Sequence, residues 1–409
     1  MIRQTRRRFL TASATTSGVM TFGGGVPAFL RDAAITGKAG GRILVVVEMA
    51  GGNDGLNTVV PHSDDAYREA RPKLGIPKSQ VLQIDDQLGF HPSMKGFADL
   101  LEAGHLAVVQ GVGYPQPNRS HFESMDIWHS CQRKDQNRTD GWLGRYLQQA
   151  GAADLQDPAG LHLGEDKQPF ALMSRAVRVP SIRSLDEFRL AGNDSAQFRQ
   201  AVKELADAGR DDSNDLLTFV QTSTSSAITA SERIEAAGMK YKSSKEYPQN
   251  ALAQKLQTVA KLINSGLNTS VYYVQIGGFD THAQQPNAHA VLLRYVSGSV
   301  NTFVNDLKAH GHGDRVLCMC FSEFGRRVNE NASEGTDHGT AGPVFLAGSS
   351  VKPGLIGKHP SLSSLKDGDL QYHTDFRQVY ATILERWLKT DSERVLKGRF
   401  QPVDALRSA

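Results

Sequence analysis

The chain has 409 residues, 39% of them apolar and 22% charged, and a formal net charge of +3. This is an ordinary globular composition, which excludes a disordered or collagen-like polymer, and neither a solenoid repeat nor a heptad run is present. Outside the first residues there is no Lys/Arg run to form a nucleic-acid face.

The N-terminus carries Thr5-Arg6-Arg7-Arg8-Phe9-Leu10, then a weakly apolar stretch over 11–22, then Val26-Pro27-Ala28 as a small-residue cleavage site. Together these resemble a twin-arginine export signal over residues 1–28; the alternative is a basic tail. The stretch is too short and too rich in Ser, Thr and Gly to span a bilayer stably. Arg3, Arg6, Arg7 and Arg8 supply +4 with no acid, so the remainder carries −1. The expected location is the periplasm or the exterior, with the twin-arginine translocase as partner during export and no stable transmembrane helix in the mature chain.

From residue 40 to 409 the sequence reads as one layered α/β domain. Apolar, β-branched runs at 43–48, 106–110, 271–276, 316–321 and 344–346 have the length and burial pattern of strands in a parallel sheet. Each ends in a loop rich in Gly, Ser or Asn, and helical patterns lie between them. Ligands of open α/β sheets bind beyond the carboxyl ends of the strands. Polar residues just after these runs are therefore candidates for one site.

After the first strand, Asp54 lies in Gly51-Gly52-Asn53-Asp54-Gly55. It reads as a metal ligand in a turn that glycines let pack closely, or as an Asx-turn residue; no G-K-[ST] marks a phosphate loop. After the second strand comes Arg119-Ser120-His121-Phe122-Glu123. Ser120 with Glu123 reads as a capping box, or Ser120 as a nucleophile activated by a metal, with Arg119 and His121 to clamp or protonate the anionic group. Polar residues from about 190 to 250 have helical but not strand character and read as a helical insertion or cap.

The segment 252–263 keeps helical spacing and ends at Gly266. The next strand leads into Gly277-Gly278-Phe279-Asp280-Thr281-His282, where Asp280 and His282 are separated by one residue and can point the same way. Cys318 and Cys320 share one face of the following strand and read as small buried hydrophobes, with a Cys-x-Cys metal site as the alternative; three cysteines make no disulfide framework. Glu323 ends that strand and reads as a ligand or as a partner of Arg326. Asp337-His338 sits in a second Gly-flanked loop. His373 reads as a ligand with Asp375 as its acceptor, or Asp375 as a helix cap, before a final helix over 378–388. Carboxylate oxygen and imidazole nitrogen together suit Zn²⁺, Mn²⁺ or Fe.

Six segments in order, GGNDGLNTVVP at 51–61, RSHF at 119–122, GGFDTH at 277–282, SEFGR at 322–326, TDHG at 336–339 and HTDFRQVY at 373–380, resemble the bacterial "domain of unknown function 1501" family within the alkaline phosphatase and sulfatase-like superfamily. That resemblance implies a three-layer α/β/α sandwich with a mostly parallel central sheet. It also implies two divalent metal ions (Zn, Mn, Mg, Ca or Fe) and hydrolysis of a small anionic phosphate ester, or less favoured sulfate ester, through a covalent intermediate. Carried over, the metal ligands are Asp54, Asp280, His282, Asp337, His338 and His373, with Ser120 as nucleophile. Glu323 occupies the strand end where the superfamily places a ligand carboxylate. The sulfatase Cys/Ser-x-Pro-x-Arg signature is absent near Ser120. The alternatives are an exported binding or scaffold protein that keeps the fold without turnover, and a metal-free serine esterase, for which the G-x-S-x-G elbow is missing.

Overall fold

The computed structural model describes residues 41–151, 157–164, 167–177, 179–183, 204 and 241–407. The export signal and most of the expected helical insertion lie outside the described residues. Within them no helix is long and apolar enough to cross a membrane.

Nine strands form one sheet: β1 (Ile43–Met49), β2 (Leu106–Gly113), β3 (Gly160–Leu163), β4 (Ser181–Ile182), β5 (Val271–Ile276), β6 (Val316–Phe321), β7 (Gly342–Ala347), β8 (Gly354–Ile356) and β9 (Thr374–Asp375). Their order is β8-β2-β7-β6-β1-β5-β3-β4, with β9 beside β2. Every residue of β1 is buried, because helices cover both faces of the sheet. This is why its sequence is an unbroken apolar run rather than an alternating one. Its pleat sends Ile43, Val45, Val47 and Met49 into one core and Leu44 and Val46 into the other. Each fully buried valine contributes about 1.5–3 kcal/mol relative to exposure.

The covering helices are α1 (Lys95–Glu102), α2 (His121–Ser130), α3 (Trp142–Gln149), α4 (Ala251–Asn264), α5 (Gln285–Ala309) and α6 (Phe376–Thr382). Helices α1, α4 and α5 pack on the Val45 face, and α2, α3 and α6 on the Val46 face. The architecture is thus a three-layer α/β/α sandwich. Helix α4 starts where Asn250 accepts a hydrogen bond from the Ala253 amide (2.9 Å), buries Leu252, Leu256, Val259, Leu262 and Ile263, and stops before Gly266 at φ +76°, as its spacing predicts.

Three features differ from the sequence expectation. Strand β7 runs antiparallel to both β2 and β6, whereas all five runs were expected to be parallel. A parallel neighbour needs a crossover connection; the segment 322–341 contains no helix and returns along the same rim. The helix expected over 378–388 begins at Phe376, passes into a π turn at Ile383–Trp387, and is not the last, since Ser392–Leu396 follows. Strands β3, β4, β8 and β9, of two to four residues, are too short to carry a periodic signal. Cys318 and Cys320 are both buried in the same core, unbonded, as small hydrophobes.

Candidate metal centre

Four loops meet at the carboxyl ends of β1, β5 and β6 and at the N-terminus of α2. Gly51 stands at φ +119°, and a Cβ there would lie 2.5 Å from the Asp280 backbone nitrogen. Only glycine permits the β1 and β5 loops to touch so closely. The Gly51 amide donates to Glu323 Oε1 (2.9 Å), which adds the β6 loop. That loop folds back on itself, with Arg327 N donating to Asp337 O (3.0 Å) and Gly339 N to Gly325 O (2.9 Å). Fourteen residues apart in sequence, Glu323 and Asp337 are thereby drawn to one place.

Arg326 holds the loops together from below. It is 1% exposed and donates to the carbonyls of Gly52 (2.7 Å), Thr336 (2.7 Å), Phe279 (3.0 Å) and Gly51, and to Asp280 Oδ1 (2.7 Å). A buried guanidinium is tolerable only with every donor satisfied and its charge matched, and Asp280 supplies the match. The pair with Arg326, the alternative reading of Glu323, is not formed.

Three imidazoles converge on the same Asp280 oxygen: His121 Nε2 at 3.3 Å, His282 Nε2 at 3.1 Å and His338 Nε2 at 3.1 Å. Each ring turns its other nitrogen to an acceptor. His121 Nδ1 faces Glu323 Oε1 (2.8 Å), His282 Nδ1 faces Asp337 Oδ1 (3.2 Å), and His338 Nδ1 faces the Arg119 carbonyl (2.7 Å). A proton on Nδ1 satisfies each outer contact and leaves Nε2 as a lone pair directed inward. In that tautomer the inner atoms repel; without an ion, a proton on His338 Nε2 instead bonds Asp280 Oδ1 (3.1 Å). His282 Nε2 and His338 Nε2 stand 2.9 Å apart, and His121 Nε2 is buried with no hydrogen-bond partner. A positive centre among them relieves that repulsion. Among the described residues, ligand atoms of His121, Asp280 and His338 lie within 4.8 Å of one another. Partial burial works to raise the Asp280 carboxyl, but Arg326 and His338, with His121, outweigh it and hold it at about 2. The hydrogen bond to Glu323 raises the His121 imidazole above its ordinary value. Asp337 is lowered, first by its hydrogen bond from Asn331.

The remaining expected site residues are placed as follows. Asp54 is wholly buried, with Arg71 on both oxygens (Nη1–Oδ2 2.6 Å, Nη2–Oδ1 3.0 Å) and the Gln285 amide on Oδ2. Asp54, expected as a ligand, thus accepts from protein donors on both oxygens and is not among the residues whose ligand atoms gather with Asp280. His373 is likewise apart from the cluster: its Nε2 bonds the Lys358 carbonyl (2.6 Å) and its Nδ1 the Thr374 hydroxyl (3.0 Å). Asp375 caps α6 in a capping box with Gln378. Ser120 is the exposed N-cap of α2 but makes no capping bond through its side chain; Glu123 is drawn instead to Arg138 (3.2 Å). Arg119 reaches the cluster through its carbonyl, while its guanidinium bonds Asp369 (3.0 Å). Glu323 and Asp337, expected as ligands, stand behind histidine rings rather than at the centre, and His121, expected as a clamp, stands at it.

The chain belongs to the family described as protein of unknown function (DUF1501), whose model matches residues 42–401. No curated protein matches it. Among solved structures it is similar to the C-terminal periplasmic domain of EcEptC from Escherichia coli (12% identity over 90% of this chain and 89% of that one, TM-score 0.41). It is also similar to the lipooligosaccharide phosphoethanolamine transferase A from Neisseria meningitidis (12% identity over 97% of this chain and 65% of that one, TM-score 0.40), and to PsFucS1 sulfatase from Pseudoalteromonas sp. (11% identity over 97% and 72%, TM-score 0.39). Likenesses of this degree carry no argument on chemistry, which rests on the residues above.

Proposed function

We propose that the chain is an exported metal-dependent hydrolase of phosphate esters, with sulfate esters less favoured. The convergence of three imidazole Nε2 atoms on Asp280, each ring held by an acceptor at Nδ1, is the observation that carries this reading. His121, His282, His338 and Asp280 would hold a divalent ion, and Glu323, Asp337 and the Arg119 carbonyl would orient the rings. A nitrogen-rich donor set suits Zn²⁺, Mn²⁺ or Fe rather than Ca²⁺ or Mg²⁺, which take oxygen. This donor set accounts for one ion at this rim where the family resemblance implies two. When bound, the ion supplies Lewis-acid polarisation of the ester.

Ser120 is the proposed nucleophile. Its hydroxyl makes no capping bond at the N-terminus of a ten-residue helix, whose exposed amides favour an anion. Attack by Oγ forms the Ser120 ester as the bond to the leaving alcohol breaks, the hydroxyl proton passing to that alcohol; water then releases the acid and restores the serine. Arg119, whose 40% exposed side chain is paired with Asp369, would orient the anion. Ser120→Ala is expected to abolish turnover and leave metal content intact, measured by aryl phosphate hydrolysis beside elemental analysis; undiminished hydrolysis would remove Ser120 from the reaction.

One observation favours the second reading, a binding protein without turnover: Asp54, a ligand in the superfamily pattern, is closed off by Arg71. Metal retained with no hydrolysis across a panel of phosphate and sulfate esters would decide for it. The twin-arginine pattern is the support for export to the periplasm or exterior, and a fusion of residues 1–40 to a reporter tests it.

A further inference from the structure

Resting on the metal-centre reading, we propose that Gln285, held by the Asp54–Arg71 pair, is the positioning residue that locks the two Asp/His loops in register. Gln285 is the first residue of α5 and is completely buried. Its side-chain oxygen accepts from two hydroxyls at once, Thr281 Oγ1 (3.0 Å) and Thr336 Oγ1 (2.6 Å). Thr281 lies between Asp280 and His282, and Thr336 directly precedes Asp337 and His338. One amide oxygen thus bonds a threonine of each ligand loop. A direct backbone bond, Thr336 N to Thr281 O (3.2 Å), runs alongside.

The amide nitrogen at the other end of the group, buried, needs an acceptor of its own. Asp54 Oδ2 is that acceptor. Its orientation is set in turn by the two-pronged contact from Arg71, whose Nε and Nη2 are spent on the carbonyls of Val328 (2.7 Å) and Arg327 (2.8 Å). Those carbonyls belong to the strand-to-strand segment that carries Asp337 and His338. Every member of the chain Arg71, Asp54, Gln285, Thr281 and Thr336 is at most 5% exposed, so no water substitutes for a missing bond. Partners bonded directly to a ligand typically change metal affinity about 10–100-fold; this network, one residue removed, is expected at the lower end.

The test titrates Zn²⁺, and separately Mn²⁺, into the metal-stripped mature chain and into Thr281→Val, Thr336→Val and the conservative variants Thr281→Ser and Thr336→Ser, with circular dichroism and metal-free melting on each. Valine keeps the volume and removes the donor; serine keeps the donor. The expected result is a dissociation constant about tenfold or more higher in each valine variant, near wild type in each serine variant. Valine variants that fold and bind as wild type, or serine variants weakened as much as valine ones, overturn the proposal while wild-type binding leaves the metal centre standing. Absence of binding by the wild-type chain overturns both.

Discussion

His338→Ala is expected to empty the proposed metal centre. The substitution deletes one of the three inward lone pairs and leaves His282 and His121 facing Asp280 without the third imidazole. Removal of a direct ligand should exceed the ~10–100-fold loss typical of an orienting partner. Hydrolysis should fall by roughly 1,000-fold, because Lewis-acid stabilisation of this kind is worth several kcal/mol and each ~1.4 kcal/mol is a factor of ten. His338 is 22% exposed, so the fold should survive. Elemental analysis after dialysis against fixed free Zn²⁺, together with aryl phosphate hydrolysis, reads both effects, and full occupancy in the variant would strike His338 from the ligand set. Asp337→Asn gives a graded comparison: it weakens the acceptor behind His282 without touching the centre, so the smaller loss, about tenfold, is expected there.

The second large effect concerns stability. Arg71 and Asp54 are both fully buried, and deleting one partner of such a pair leaves an unpaired charge in the interior. Arg71→Leu is therefore expected to destabilise the chain by about 3–5 kcal/mol. The pair also sets an acid limb. Burial works to raise the Asp54 carboxyl, but Arg71 outweighs it, with smaller help from His289 and Gln285, and lowers it from 3.8 to about 2. A carboxyl lowered on folding binds its proton more weakly in the native state. Its contribution is complete above the unfolded value near 3.8 and disappears as pH falls towards about 2. The shift corresponds to about 2 kcal/mol. Urea unfolding between pH 6 and pH 2.5 should show a shallower acid slope in Asp54→Asn than in the natural chain; identical slopes would show that Asp54 takes no part in it.

The place of the Asp/His cluster was legible because these residue types rarely gather in loops by chance. Asp280-Thr281-His282 and Asp337-His338, each Gly-flanked and beyond a strand, identify the rim without coordinates. The roles within it were not legible. Whether a histidine ligates or clamps depends on what lies behind its second nitrogen. For His121 that is Glu323, 202 positions away, and for His282 it is Asp337, 55 positions away. The partner of Asp54 was equally hidden, since nothing in the run around Arg71 distinguishes a buried arginine from a surface one. His129, isolated in the sequence, proves to be buried against Glu48 (3.1 Å), for the same reason.

Composition and periodicity by themselves determined the layered α/β class, because strands covered on both faces must be apolar at every position and helices between them at every third or fourth. They also determined which loops hold acids and imidazoles. Only the tertiary structure decided the direction of β7, since strand polarity depends on the path of the connecting segment and not on side-chain pattern. It alone decided that Glu323 and Asp337 stand behind histidines and that Asp54 answers to Arg71. A carboxylate takes the nearest positive or hydrogen-bonding partner that folding delivers, and that delivery is made across hundreds of residues rather than within a motif.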